Sequence, residues 1–192
     1  MQEKSERFDR ETRVSFRALT RDDLPMMLAW MIQPDVAAWY EAEDPTLEGM
    51  EREFGAMIDG TDPVRGFIVL ADLEPIGYIQ GYRLGDHPDY LSQLDLDADD
   101  VSMDIFLGDP AYRGHGWGAP VLSAFLRQIV FGEMAAQRAA IMPVPGNARA
   151  IKAYQRVGFQ PIRAVTVRDT DTGKIEDELI MLLPREAFFA DS

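Results

Sequence analysis

The feature that most constrains the fold is a strand, a glycine-rich loop and a helix that follow one another between residues 101 and 131. The apolar run Val101–Leu107 stops at Gly108-Asp109-Pro110, because proline cannot extend a hydrogen-bonded ladder and restricts the residue before it. Arg-Gly-His-Gly-Trp-Gly occupies 113–118, and apolar residues then recur every three or four positions as far as Val130, which predicts a helix. Unshielded N–H groups at the positive end of a helix bind anions, so the pattern predicts a phosphate or pyrophosphate site.

The glycines by themselves are also compatible with two different structures. A plain turn stays open, because a glycine cluster alone is a weak signal. The glycines also match the G-x-G-x-x-A loop of dinucleotide-binding Rossmann domains. In that loop the first glycine directly follows the strand, whereas residues 108–113 intervene here. No strand ending in an acidic residue follows at the required distance, so we do not expect a Rossmann site.

The loop resembles the acyl-CoA pyrophosphate loop of the GNAT N-acetyltransferase superfamily, whose pattern is Gln/Arg-x-x-Gly-x-Gly/Ala. Arg113, Gly116 and Gly118 fill this pattern in order. The resemblance implies acetyl-CoA (coenzyme A) as cofactor and no metal. The cofactor-binding residues that it implies come from the strand end, the loop and a later motif: Ile105, Phe106, Leu107, Arg113, Gly114, His115, Gly116, Trp117, Gly118, Ala119, Asn147 and Tyr154.

That later motif begins at Asn147 and reads Asn-Ala-x-Ala-Ile-x-x-Tyr-x-x-x-Gly-Phe. On local grounds alone, Asn147 is a helix N-cap and Tyr154 is a core aromatic residue. The motif also resembles the later GNAT motif. The resemblance implies that Asn147 contacts the pantetheine arm, and that Tyr154 lies near the thioester sulfur as general acid.

Within the superfamily, several stretches resemble the aminoglycoside 6'-N-acetyltransferase branch, including Trp39-Tyr40 followed by acidic residues, residues 74–82, and Asp104 in the central strand. The resemblance implies that Asp104 binds or deprotonates the reacting amine. To act as a base, Asp104 would need a raised pKa or a bridging water. The alternatives are that Asp104 only anchors the amine electrostatically, or that its carboxylate is paired with a structural arginine. Met142 is a departure, because a member of that branch has an Asp there that contacts the drug. The implied substrate-binding residues are Trp39, Tyr40, Tyr82, Asp86, Asp104 and Glu178.

The whole chain reads as β-α-α-β-β-β-α-β-α-β-β, a mixed sheet flanked by helices. This is also the GNAT order, so we expect an α/β (α+β) GNAT fold with a mostly antiparallel, twisted sheet. We predict one domain over residues 13–192 after a flexible segment, 1–12. Residues 72–74 are expected to join two strands in a hairpin, and Gly158 is expected to close the helix that Asn147 caps. Residues 84–100 are expected to form an acidic loop, and a final strand pair should be joined by a turn at 169–173.

Composition excludes several classes of protein. The 192 residues include no cysteine, which removes disulfides, thiolate nucleophiles and cysteine-bound metals. The acidic run at 95–100 lacks the glycine and glutamate of a calcium-binding loop, and His87 and His115 lie too far apart for a metal triad. The sequence has no apolar run of membrane-spanning length and no signal peptide. We therefore expect a cytoplasmic protein.

The net charge of −14 argues against nucleic acid or an anionic membrane as a partner. Residues 84–112 hold eight acidic residues and no Lys or Arg, and residues 35–53 hold seven against one arginine. Residues 113–168 hold eight basic residues and one acidic residue. A solvated surface is the plain interpretation. The functional interpretation is an anionic cofactor in the basic part and a small cationic amine substrate in the acidic parts, in a monomer or homodimer.

The predicted function is that of an acetyl-CoA-dependent N-acetyltransferase acting on an amine of a small cationic acceptor. The branch suggests the 6'-amino group of an aminoglycoside, and hence antibiotic resistance. The catalytic residues implied are Asp104 and Tyr154. Two alternatives stay open: a siderophore-type acyltransferase for hydroxylamines or lysine derivatives, and a non-catalytic acyl-CoA-binding module.

Overall fold

The structure, a computed structural model, describes residues 9–40, 42–168 and 173–190. The strands are β1 (Val14–Ala18), β2 (Arg65–Ala71), β3 (Glu74–Arg83), β4 (Val101–Leu107), β5 (Arg138–Ile141), β6 (Gln160–Arg168) and β7 (Ile175–Pro184). The helices are α1 (Leu24–Met31), α2 (Pro34–Ala37), α3 (Leu47–Ile58), α4 (Pro88–Leu94), α5 (Gly118–Phe125, continued by the π-helical segment Leu126–Glu133), α6 (Ala148–Val157) and α7 (Arg185–Ala190). Within these ranges, no helix is both long and apolar enough to cross a membrane.

The strands form a seven-stranded sheet in the order β1-β2-β3-β4-β5-β7-β6. It is mostly antiparallel, with β4 and β5 parallel through Val101 opposite Ala139. The predicted hairpin between β2 and β3 is confirmed: Asp72 and Leu73 have φ values of 50° and 73°, as a two-residue turn matched to the strand twist requires. The predicted fold class is confirmed, and every predicted strand is present.

The first of two compact units consists of residues 1–80 and 104–121. Helix α1 turns an apolar face inward, with Met27 fully buried. Helix α3 begins at Thr46, whose hydroxyl accepts a hydrogen bond from the N–H of Gly49 at 3.0 Å, because an N-cap side chain satisfies an amide that has no partner within the helix. Its Phe54 ring meets Tyr78 of β3 edge to face at 5.6 Å. The two helices and β3 therefore share one core.

The second unit consists of residues 81–103 and 122–192. Asp100, which is buried, accepts a hydrogen bond at 2.8 Å from Nε of Arg138 on β5, and Asp97 accepts one from the same guanidinium at 2.7 Å. Part of the acidic run that precedes β4 is therefore used to bind an arginine. Helix α6 is capped by the Asn147 side chain, which accepts from the N–H of Ala150 at 3.0 Å, and it ends at Gly158, whose φ is 115°. Both helix ends were predicted.

The expectation of a loop over residues 84–100 was wrong, because α4 lies within it. Pro88 starts the helix, where a missing N–H costs little, and Asp95 ends it in the left-handed conformation, with φ 49°. Seven residues are too few to show a helical period in the sequence, and the helix is instead fixed by packing its buried Leu94 beside Val167 of β6. Helices α2 and α7 were also not predicted.

Two predictions lie partly or wholly outside the described residues. The turn predicted at 169–173 falls mostly on 169–172, which lie outside the described residues, and the N-terminal segment 1–12 is described only from residue 9. Residues 9–11 are helical, and the hydroxyl of Thr12 donates to the carbonyl of Asp9 at 2.8 Å. The predicted division into a flexible segment and one domain stays a prediction.

Candidate active site

A chain of hydrogen bonds in the first unit ends on Asp104, in the middle of β4. Tyr78 and Gln80 lie two positions apart on β3 and so share one face of the strand. The hydroxyl of Tyr78 donates to Oε1 of Gln80 at 2.8 Å, and Nε2 of Gln80 donates to Oδ2 of Asp104 at 2.8 Å. The amide therefore holds the carboxylate of Asp104 in a fixed orientation. Gln80 lies in the stretch 74–82 that resembles the aminoglycoside branch, but it was not among the predicted site residues.

The protonation properties of these groups differ from those in water. Burial raises the pKa of the Asp104 carboxyl above its ordinary value, and the hydrogen bond from Gln80 opposes this rise. Burial, together with the negative charges of Asp104, Glu53 and Asp62, raises the pKa of Tyr78 well above its ordinary value. Tyr78 therefore remains a hydrogen-bond donor at neutral pH. Asp104 becomes a better proton acceptor than an exposed aspartate would be.

Asp23 and Asp100 are more deeply buried than Asp104, and their hydrogen-bond partners differ from that of Asp104. Asp23 is bound by the Arg17 guanidinium at 2.6 and 2.7 Å. Burial alone would raise the pKa of Asp23, but the hydrogen bonds from Arg17 and Thr20 bring it below its ordinary value. Asp100 is bound by Arg138. In contrast, the hydrogen bond that the structure gives Asp104 comes from a neutral amide. The alternative of a carboxylate paired with a structural arginine is therefore not supported.

A second acidic group of the first unit also has an altered protonation equilibrium. Glu53 lies on α3 and is exposed to solvent, although neighbouring groups partly desolvate its carboxylate. Burial, and then the negative charge of Glu43, raises the pKa of Glu53 to about 7. The sequence indicated an acidic segment here, but it did not show which of its acids would have a raised pKa.

Aromatic side chains surround Phe106, near the C-terminal end of β4. The ring of Phe106 lies 5.0 Å from that of Tyr40, 5.7 Å from that of Tyr78 and 6.4 Å from that of Trp30. Trp39 and Tyr40 are neighbours that were both predicted to bind substrate. Tyr40 is partly buried in this group, whereas Trp39 is 49% exposed. Phe106 itself is a buried core residue. Any contact that residues 105–107 make with a cofactor therefore has to involve the backbone or the partly buried Ile105 and Leu107.

The glycine-rich loop between β4 and α5 is built around left-handed residues. Gly114 and Gly116 both have φ of 80°, a conformation that glycine adopts without steric cost. Trp117 is buried, and its ring meets Tyr112 at 5.2 Å. Helix α5 begins at Gly118. The loop thus presents accessible backbone next to a helix N-terminus, as an anionic ligand requires.

Arg113, at the start of the loop, is used differently from what a simple cation would suggest. Its side chain is 13% exposed. Its Nη2 donates to Oε1 of Gln33 at 2.7 Å, and its Nη1 donates to the carbonyl of Gly108 at 3.2 Å. The guanidinium therefore links the loop to the residues that follow α1. Direct contact of this side chain with a cofactor stays a prediction.

The second unit holds the remaining predicted residues in two groups. Tyr154 is buried on α6, and its ring meets Phe159 edge to face at 6.3 Å. Tyr82 meets His87 edge to face at 4.8 Å, and Asp86 lies exposed in the turn Leu84–Asp86. The core position expected of Tyr154 on local grounds is therefore present, and its role as general acid stays a prediction.

Glu178 of β7, also predicted to bind substrate, has a partner that the sequence did not reveal. Its Oε2 accepts a hydrogen bond from the hydroxyl of Tyr90 on α4 at 2.7 Å. Because the sequence predicted a loop where α4 lies, this pairing could not be anticipated. Within the described residues, no group of three or more histidine or carboxylate side chains could hold a metal ion.

Comparison with known proteins decides the family. Residues 20–167 match the acetyltransferase (GNAT) domain family. The chain belongs to this family. The predicted resemblance, fold and enzyme class are thereby confirmed, and so is acetyl-CoA, the acetyl donor of GNAT acetyltransferases.

The relatives and structural neighbours share between 16% and 27% of the sequence. Aminoglycoside N(6')-acetyltransferase type 1 of Klebsiella pneumoniae is 27% identical over 158 residues, covering 81% of this chain and 78% of the relative. The solved structure of aminoglycoside acetyltransferase AAC(6')-Ib with coenzyme A and kanamycin is 26% identical, with a TM-score of 0.79, over 92% of this chain and 98% of that one. Spermidine N-acetyltransferase from Vibrio cholerae, 16% identical with a TM-score of 0.70 over 93% and 99%, shares the fold.

Proposed function

We propose that this acetyltransferase transfers the acetyl group of acetyl-CoA to an amino group of a small, multiply charged amine, with the 6'-amino group of an aminoglycoside as the first candidate. The observation that carries the proposal is the carboxylate of Asp104, partly buried and bound by the neutral amide of Gln80. A buried carboxylate without a bound cation is costly to ionise. An ammonium group from a ligand would supply the missing charge.

The relatives support the choice of acceptor. A protein 26% identical to this chain is known in complex with kanamycin and coenzyme A, and a curated relative is named for acetylation at the 6'-position. The acidic balance of residues 35–53 and 84–112 favours an acceptor with several positive charges.

The glycine-rich loop fits the anionic donor, because Gly114 and Gly116 adopt left-handed conformations that leave accessible backbone beside α5. In the proposed enzyme, the N–H groups of residues 114–118 hold the pyrophosphate and Asn147 contacts the pantetheine arm. When bound, acetyl-CoA supplies an acetyl group activated as a thioester. Because the proposed reaction consumes acetyl-CoA, we expect the enzyme to act in the cytoplasm; the choice between monomer and homodimer stays a prediction.

The residues of this chain have two proposed roles in moving protons. Gln80 fixes Oδ2 of Asp104, so Oδ1 is the oxygen that we expect to face the acceptor. Because its pKa is raised, Asp104 can accept a proton from the acceptor's ammonium group, which must be neutral to act as a nucleophile. The hydroxyl of Tyr154 is the proposed proton donor to the leaving sulfur.

Thiol release from acetyl-CoA tests the proposal, since a chain without cysteine contributes no thiol of its own. The panel contains kanamycin, spermidine, a monoamine and an N-hydroxylated lysine, each with the wild type and with Asp104→Asn. We expect turnover with kanamycin and loss of most of it in the variant. Turnover confined to the N-hydroxylated lysine would favour the siderophore-type alternative. Coenzyme A binding with no turnover on any amine would instead favour the non-catalytic module.

A further inference from the structure

The N-terminal turn at residues 9–12 contacts the glycine-rich loop within the first unit. Arg10, which is partly buried, donates a hydrogen bond from Nη1 to the carbonyl of His115. Its guanidinium also lies 5.5 Å from the centre of the Trp117 ring, close enough for a cation–π interaction. Arg10 precedes the part of the chain that matches the GNAT family, residues 20–167. The family pattern therefore gives no role to this residue.

The hydrogen bond from Arg10 fixes the orientation of one peptide group in the loop. In a trans peptide the C=O and the following N–H point in opposite directions, and the described residues contain no cis peptide. Because Arg10 holds the carbonyl of His115 on its own side, the N–H of Gly116 faces away from Arg10. With the left-handed φ of Gly116, 80°, this peptide could otherwise rotate at little steric cost.

The space beside Gly116 is also occupied by Arg10. A Cβ atom added at Gly116 would lie 2.9 Å from Nη1 of Arg10, too close for a normal contact. The arginine thus packs directly on the loop backbone, on the side opposite to the Gly116 N–H. A ligand that contacts the Gly116 N–H would therefore lie on the side of the loop away from Arg10.

We propose that Arg10 is a positioning residue for the acyl donor, which holds the peptide between His115 and Gly116 so that the Gly116 N–H faces the pyrophosphate. This inference rests on the proposed function, because it assumes that the loop binds acetyl-CoA. Arg10 acts through the loop backbone and does not itself touch the donor. Losing it therefore costs donor affinity through loop order.

Arg13 provides a matched control on the same aromatic ring. Its guanidinium lies 5.3 Å from the centre of the Trp117 ring, but its Nε donates to the carboxylate of Asp72 at 2.9 Å. Arg13→Ala removes one positive charge and one cation–π contact, as Arg10→Ala does. It leaves the peptide between His115 and Gly116 in place.

The first measurement is calorimetric titration of coenzyme A into the wild type, Arg10→Ala, Arg10→Gln and Arg13→Ala, after thermal melting has shown that each variant is folded. We expect about a tenfold rise in Kd for both Arg10 variants, the size of losing one charge-assisted hydrogen bond, and little change for Arg13→Ala. If Arg10→Ala does not fold, Arg10→Gln carries the test. An unchanged Kd in a folded Arg10 variant overturns the inference.

The second measurement compares acetyl-CoA with S-acetylpantetheine, a donor that lacks the pyrophosphate. Arg10→Ala should lower kcat/KM with acetyl-CoA and leave it unchanged with S-acetylpantetheine. An equal loss with both donors would mean a general disturbance of the unit and would overturn the inference. If the wild type itself fails to bind coenzyme A, the proposed function fails first. A wild type that binds alongside variants that bind equally well refutes the role of Arg10 alone.

Discussion

Replacing Gln80 by leucine tests whether Asp104 must be ionised for the reaction. Nε2 of Gln80 donates to Oδ2 of Asp104 at 2.8 Å, and this bond lowers the carboxyl pKa, which burial raises. Leucine is similar in size and has no donor. In Gln80→Leu the pKa of Asp104 should therefore rise further, and a higher pH should be needed to ionise it.

The size of the effect follows from the lost bond. A hydrogen bond to a charged group contributes about 1.5–3 kcal/mol, and the lower end applies because Asp104 is only partly buried. Since about 1.4 kcal/mol is a factor of ten, kcat/KM at pH values below the carboxyl pKa should fall about tenfold in the variant. At high pH both proteins carry an ionised Asp104, so the difference should disappear.

Tyr78→Phe is the matched control for Gln80→Leu. It removes the hydroxyl that donates to Oε1 of Gln80 at 2.8 Å and leaves the bond between Gln80 and Asp104 in place. The pH dependence of kcat/KM should therefore shift much less in Tyr78→Phe than in Gln80→Leu. The assay is the pH dependence of kcat/KM from thiol release, with kanamycin as acceptor. A loss of kcat/KM in Gln80→Leu that is equal at all pH values would point to disturbed packing. If kcat/KM of Gln80→Leu rises with pH over the same range as in the wild type, the role of Asp104 as proton acceptor is refuted.

Three further predictions concern single residues. Tyr154→Phe should lower turnover by about 10²–10⁴-fold with an unchanged Kd for coenzyme A, whereas a fall in melting temperature alone would leave Tyr154 a core residue. Gly116→Val puts a side chain where φ is 80° and should weaken coenzyme A binding in a folded protein, as calorimetry can show; unchanged affinity would remove the loop from the site. The pKa of Glu53 is raised from 4.5 to about 7, so the folded state holds this proton more tightly and loses stability as the pH rises through that interval. Glu53→Gln should therefore melt higher than the wild type above pH 7 and equally below pH 4.5; a pH-independent difference would contradict this assignment.

Elements with strong local signals were predictable from the sequence. Strand β4 has the predicted limits, Val101–Leu107, because Gly108 to Pro110 end it. Helix α6 lies between its predicted N-cap, Asn147, and the predicted left-handed Gly158, since both ends depend on single residues. The hairpin at Asp72 also depends on neighbouring residues alone.

Contacts between residues far apart in the chain were not predictable. The alternation of β3 put Tyr78 and Gln80 on one face, but only their arrangement with β4 shows that Gln80 meets Asp104, 24 positions later. Arg113 fitted the loop pattern, yet its side chain binds Gln33, which is 80 residues away. Arg10 is separated from His115 by 105 residues. Neither the spacing of apolar residues nor a helix-capping residue indicates which distant residues will meet in the fold.

The surroundings of Met142 are apolar. In this chain Met142 is partly buried and packs against the apolar cluster of Leu84, Leu94, Val167 and Ile180. A carboxylate there would have to be ionised beside apolar side chains, at a cost that a bound cation must offset. With methionine the second unit gains packing instead. Because Met142 carries no charge, we expect acceptor recognition to depend mainly on Asp104. Amines that differ only in charge around the reacting group should therefore be discriminated mainly by their interaction with Asp104.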